Sequence, residues 1–179
     1  MHQKGGTIAV LGSGLNKIYP EENDKIKLFD MTLPRLLLSK ARSVEEAINY
    51  TEKYNLFYDV APLHYIVADA SGKSAVIEFV NGKMAVTKSE NKYFAVTNFT
   101  LYGNPDKTGF GKERYENIQN TLEKRGGIIS EEDALDLLKN NVIPGDEQWS
   151  AVYNLTQRTL SVTFSGEYEH VYQFRMYDF

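Results

Sequence analysis

The 179-residue sequence contains no cysteine. That excludes a disulfide framework, a zinc thiolate site and a cysteine nucleophile within the chain. No apolar run approaches the roughly 20 residues that span a bilayer, and the start, Met1-His2-Gln3-Lys4-Gly5-Gly6, lacks the apolar core of a secretory signal. The expectation is a cytoplasmic protein with no membrane partner. Basic runs are also missing. Twenty Lys and Arg stand against 24 Asp and Glu, for a net charge of −4, and no stretch is built to neutralise a row of phosphates. Nucleic acid is therefore not expected as a partner.

Several site signatures are absent as well. There is no G-x-S-x-G elbow for a serine nucleophile. The three histidines, His2, His64 and His170, stand in no i, i+4 or H-x-H pair, so no metal site is expected. Gly12-Ser13-Gly14 follows a strand but lacks the third glycine of a dinucleotide loop and opens onto Tyr19-Pro20 instead of a helix. It reads as a turn. Gly109-Phe110-Gly111 precedes a helix and reads as a flexible helix entry, or as N–H groups offered to an anion.

What is present is ordinary for one globular domain. Apolar residues make up 42% and charged residues 25%, and 12 Tyr with 9 Phe argue against disorder. Thr7–Leu11 reads as a strand, and 15–30, with Pro20 and an acidic cluster, as a loop. Leu33, Leu36 and Leu37 share one face of a helix over 31–41, with Pro34 in its first turn. Ser43 with Glu46 makes a capping box for a second helix from Val44 to about Tyr54. The period then changes to two. Leu63–Ala70, Ser74–Val80, Met84–Lys88 and Tyr93–Thr97 read as an antiparallel meander, turned at Asn81-Gly82. A Gly-rich loop over 99–111 leads to a helix at Lys112–Lys124, stopped by Gly126-Gly127. Ser130 caps a further helix. After the break at Pro144-Gly145, strands at Gln148–Leu155, Leu160–Phe164 and His170–Met176 close the chain. Segregated runs of helices and strands predict an α+β fold with helices stacked on antiparallel sheet.

Four polar residues attract notice. Asp69 precedes the Ser71-Gly72 turn, where an Asp accepts turn N–H groups. Glu78 lies within a strand, either facing solvent or buried and paired. Asn98 ends a strand as the chain enters the Gly-rich loop; it is either a turn residue or an amide aimed at an oxyanion from a rigid element. Arg114 falls in the first turn of a helix, where the dipole disfavours a cation, and implies a specific acidic partner or simple exposure.

The stretch from Leu63 through Asp69-Ala70-Ser71-Gly72 to Glu78-Phe79 resembles the hairpin of linear-amide C–N hydrolases, the group of choloylglycine hydrolases, penicillin V acylases and acyl-CoA:6-aminopenicillanic acid acyltransferases. Ala95-Val96-Thr97-Asn98 resembles the strand that follows in that family, and Lys112-Glu113-Arg114-Tyr115 its later helix start. Gln148-Trp149-Ser150-Ala151-Val152-Tyr153-Asn154 resembles the terminal hairpin of the acyltransferase-like branch. The resemblance implies an αββα sandwich of the N-terminal-nucleophile (Ntn) type, here as a single domain over residues 1–179. It implies cleavage of a small-molecule N-acyl amide by a processed N-terminal Cys whose own amino group is the base, without a cofactor. Asn98 matches the oxyanion-hole Asn and Arg114 the Arg that supports the active site. Gly12 or a neighbour matches the backbone oxyanion donor, and His64, in the hairpin, falls on the substrate-binding side.

The same register runs Met1, Lys4 and Gly5 along the family's start, while His2, Gln3 and Gly6 depart from it. By that register the nucleophile, with an Arg and an Asp close behind it, would lie upstream of Met1, and removal of Met1 would expose His2. Three expectations follow: the C-terminal part of an amidase that is inactive alone; a binding protein for acylated small molecules without turnover; or a subunit, homo-oligomeric or completed by a missing N-terminal segment, that gains its nucleophile by pairing. Bile-salt conjugates, phenoxyacyl β-lactams, N-acyl amino acids and acyl-homoserine lactones all fit the resemblance.

Overall fold

In the computed structural model, which describes residues 6–12, 19, 21–22, 24–57, 63–143, 145 and 148–175, period-two alternation builds the main sheet. Strands β1 (Thr7–Gly12), β4 (Leu63–Ala68), β5 (Ser74–Val80) and β6 (Lys83–Lys88) form it in the order β1-β4-β5-β6, antiparallel throughout. Between β1 and β4 the chain forms β2 (Ile26–Phe29), helices α1 (Leu33–Lys40) and α2 (Val44–Thr51), and β3 (Tyr54–Phe57). The odd-numbered side chains Tyr65, Val67, Ala75, Ile77 and Phe79 pack against Leu33, Leu37, Val44, Ala47 and Ile48 of α1 and α2 in one buried cluster. Even-numbered Ile66 and Val76 point to the opposite face, where Phe94, Val96, Phe99, Leu101 and Tyr115 cover them.

Asp69 locks the helix layer to the sheet. Its Oδ2 accepts the Val44 N–H at the start of α2, 2.9 Å away, and its Oδ1 accepts the Ser71 N–H at 2.9 Å and the Ser71 hydroxyl. Ser43 caps the same helix by accepting the Glu46 N–H, while the Glu46 carboxylate reaches back to the Arg42 N–H at 2.8 Å. Burial works to raise the Asp69 pKa, but the Ser71 hydroxyl and the N–H groups of Val44, Ser71 and Lys73 outweigh it and hold the carboxyl below its ordinary value. Deeper in the core, the Tyr19 hydroxyl donates to Asp30 Oδ2 at 3.1 Å and accepts the Leu63 N–H at 3.2 Å, and burial pushes that hydroxyl up to about 12.

After the sheet come α3 (Lys112–Lys124) and α4 (Glu131–Lys139), then β7 (Trp149–Asn154), β8 (Thr159–Phe164) and β9 (Tyr172–Arg175), which form a second antiparallel sheet in chain order. Its polar face is the covered one. Glu131 at the start of α4 accepts from Asn154 at 2.8 Å and from Ser161 at 3.2 Å, and Ser150 bonds Tyr168 at 2.7 Å. On the apolar face, Trp149, Phe164, Tyr172 and Phe174 are each more than half exposed.

Three expectations need correction. Tyr93–Thr97 joins no ladder; it runs as irregular chain over the even face of the main sheet, where its apolar residues serve as cover instead of a fifth strand. The expected 15–30 loop contains β2, and the second helix stops at Thr51, freeing Tyr54–Phe57 to pair with β2 in parallel. Four-residue strands are too short to show a period, and a tertiary pairing 28 residues apart fixes them. The start from Met1 to Gly5, the Ser13-Gly14 part of the expected turn, Pro144 and Met176 lie outside the described residues. Among the described residues no helix is long and apolar enough to cross a membrane.

Replacing Asp69 by Ala removes the acceptor for both the helix start and the turn and is expected to lower stability by about 2–3 kcal/mol at neutral pH. Because the folded carboxyl is held low, the wild-type advantage is complete above about pH 4 and is lost as pH falls through the depressed folded value. Urea unfolding of both proteins at a series of pH values checks the size and the sign.

Candidate active site

The last residue of β1, the residue after the 93–97 cover strip and the first turn of α3 meet at one edge of the main sheet. Arg114 donates from Nη2 to Asn98 Oδ1 at 2.9 Å, and Asn98 donates from Nδ2 to the Gly12 carbonyl at 3.2 Å. These two bonds fix which way the amide faces, since a guanidinium only donates and a carbonyl only accepts. The Asn98 amide is thus polarised from its oxygen end by a cation. That strengthens its N–H groups as donors, and the second of them finds no acceptor among the described residues. An amide held from a fixed edge, with a free N–H, is suited to stabilising charge that develops on a carbonyl oxygen.

Close backbone approach makes this arrangement possible. Gly111, at φ 86°, is the N-cap of α3; a Cβ there would lie 2.6 Å from Arg114 Nη2 and 3.2 Å from Thr97 Cβ. Thr97 donates its hydroxyl to the Gly111 carbonyl at 3.1 Å, closing the loop on the residue beside Asn98. Within the loop, Asn104 donates to the carbonyls of Thr100 and Thr108 and accepts the Thr108 N–H at 3.1 Å. The guanidinium of Arg114 also lies over the Phe110 ring, 5.4 Å from its centre. No carboxylate pairs with Arg114 among the described residues; in place of the two alternatives for a cation in a first helical turn, an acidic partner or simple exposure, it meets a neutral amide and a ring.

Of the four residues that the resemblance puts at the site, three are brought together: Gly12, Asn98 and Arg114. Gly12 meets Asn98 through its carbonyl. His64 is not among them. Its side chain is fully buried on the even face of β4, with Nδ1 3.2 Å from Glu78 Oε1. Glu78 is an acceptor for backbone N–H groups as well, from Leu101 at 3.1 Å to each oxygen and from Tyr102 at 2.8 Å. Of the two sequence alternatives for Glu78, the buried and paired one holds. The signal for it was a lone acid at an inward position between Ile77 and Phe79, which has no meaning without its loop partners. Among the described residues no group of three His, Asp or Glu side chains is assembled.

Helices lie on antiparallel sheets in an α+β architecture that the chain shares with solved structures. The chain aligns with a variant of conjugated bile acid hydrolase from Clostridium perfringens at a TM-score of 0.75 and 15% identity, over 97% of this chain and 71% of that one. A second mutant of that hydrolase gives 0.71 at 17% identity, over 97% and 70%. Penicillin V acylase from Agrobacterium tumefaciens gives 0.67 at 18% identity, over 91% and 61%. No curated protein matches the sequence. Residues 3–122 match the linear amide C–N hydrolases, choloylglycine hydrolase family, and the chain belongs to that family.

Adding a methyl group at Gly111 should force the Arg114 guanidinium away and strain a left-handed backbone. Gly111→Ala is expected to cost about 1–3 kcal/mol in urea unfolding and to shift the Asn98 side-chain amide signals in ¹⁵N NMR. Unchanged stability and unchanged Asn98 signals would show that the close approach is not required.

Proposed function

We propose that this chain carries the carbonyl-holding half of a linear-amide amidase site, as the C-terminal portion of an Ntn-hydrolase domain, and that it does not turn over N-acyl amides alone. The observation that supports the reading most directly is the run of hydrogen bonds from Arg114 through Asn98 to Gly12. It supplies a polarised donor where an amide carbonyl would gain charge on attack. Family membership supports the choice of linear amides as the substrate class. The attacking atom is the missing part. The sequence has no cysteine, and a donor that stabilises a transition state gives no rate without the group that forms it.

A second reading, completion by a further polypeptide or another copy, draws on two features. β1 ends the main sheet, with no strand on its outer side among the described residues, and an edge of that kind accepts a pairing strand. The aromatic face of the second sheet is open as well. A chain that sediments as a monomer at every accessible concentration would remove the homo-oligomer form of this reading.

The test is a panel of bile-salt conjugates, phenoxyacyl β-lactams, N-acyl amino acids and acyl-homoserine lactones, followed by calorimetry for binding and mass spectrometry for product. Binding without product is expected. Asn98→Ala and Arg114→Ala should each weaken it by about 1.5 kcal/mol, roughly tenfold in Kd. Product formed by the chain alone would overturn the account of the missing nucleophile, and failure of the whole panel to bind would overturn the N-acyl reading.

A further inference from the structure

We propose that Glu78 is a positioning residue for Asn98. The proposal rests on the reading of Asn98 as the carbonyl-facing donor. Asn98 belongs to no strand or helix, so no ladder of backbone bonds sets its place. Its place is set by what holds the residues on either side. On the N-terminal side Thr97 is tied to Gly111. On the C-terminal side Phe99 and Leu101 are buried against Val76, and the N–H groups of Leu101 and Tyr102 end on the Glu78 carboxylate. Glu78 sits on β5, an interior strand of the sheet, and is fully buried. His64 on the neighbouring strand β4 brings its Nδ1 to 3.2 Å from the same carboxyl group. A rigid strand thus sets the height of the loop three residues beyond Asn98, through one side chain.

The geometry calls for a carboxyl group. Two backbone N–H groups converge on it and between them engage both oxygens, so both must accept. A Gln at this position turns one acceptor into an NH₂ that faces other donors. An Asp keeps the carboxyl group but draws it back by one methylene.

Full-length Glu78→Gln and Glu78→Asp, with Asp69→Ala as a control for loss of stability on the helix face, test this by ¹⁵N NMR and by titration with a phenoxyacetyl amino acid. Both Glu78 variants should speed amide exchange at Leu101 and Tyr102 and also displace the Asn98 side-chain NH₂ signals. Glu78→Gln should weaken probe binding about tenfold, with Glu78→Asp intermediate, while Asp69→Ala leaves the Asn98 signals and the affinity of the folded protein in place. Glu78→Asp alone carries the test if Glu78→Gln does not fold. Asn98 signals that stay fixed while those of Leu101 and Tyr102 move would reduce Glu78 to a core anchor and overturn the proposal. If wild-type protein binds no probe, it is the N-acyl reading that fails, and the Asn98 signals still decide the positioning role.

Discussion

Burying a carboxylate costs several kcal/mol unless other donors replace the water it gives up. Glu78 gives up all of its water, and the replacements come from two different parts of the chain: an imidazole on the adjacent strand and backbone N–H groups of the 98–102 segment. The bond therefore works as a joint. It ties a segment with no secondary structure of its own to an interior strand of the main sheet. Withdrawing the loop N–H groups leaves the buried carboxyl with fewer partners, which favours a single conformation for a loop rich in glycine. The remaining loop contacts, those of Thr97, Asn104 and Gly111, act on a segment whose distance from the sheet this joint has already set.

The same loop shows why its glycines are where they are. Gly111 leaves room for the Arg114 guanidinium against Thr97, and a Cβ on Gly109 would run into the Phe99 side chain. At both positions φ is positive, so a side chain is strained as well as crowded. The helix entry that reads as flexible in sequence is thus close-packed in the fold. Its glycines permit contact of backbone with side chain; the mobility that a Gly-x-Gly entry suggests is not their use here.

Much of the frame was legible because it rests on local rules. The capping serines Ser43 and Ser130, the Asn81-Gly82 turn and the leucine face of α1 each carry their signal within a few residues. The β2–β3 pair and the irregular 93–97 strip were not legible, since their structure is decided by distant neighbours. The site divides in the same way. Asn98 and Arg114 were found through their positions at the end of an apolar run and the start of a helix. For Arg114, helix-dipole reasoning offers an acidic partner or simple exposure and does not weigh a neutral amide presented by a loop 16 residues away. His64 sits in a strand where alternate residues face the helices, and alternation alone does not tell which face remains open to a ligand.

On the proposed reading, the energetics separate binding from turnover cleanly. A donor such as Asn98 is worth most when the carbonyl oxygen carries full negative charge, and much less when it is a neutral amide. Without a nucleophile only the smaller part is ever realised, as ground-state affinity. The Arg114–Asn98 bond persists in either case, because it is internal to the fold and needs no ligand to form. A site of this kind is preorganised before any attacking atom arrives. On that reading a carbonyl would meet a donor already polarised and already in place, so the cost of ordering the site would not fall on the chemical step.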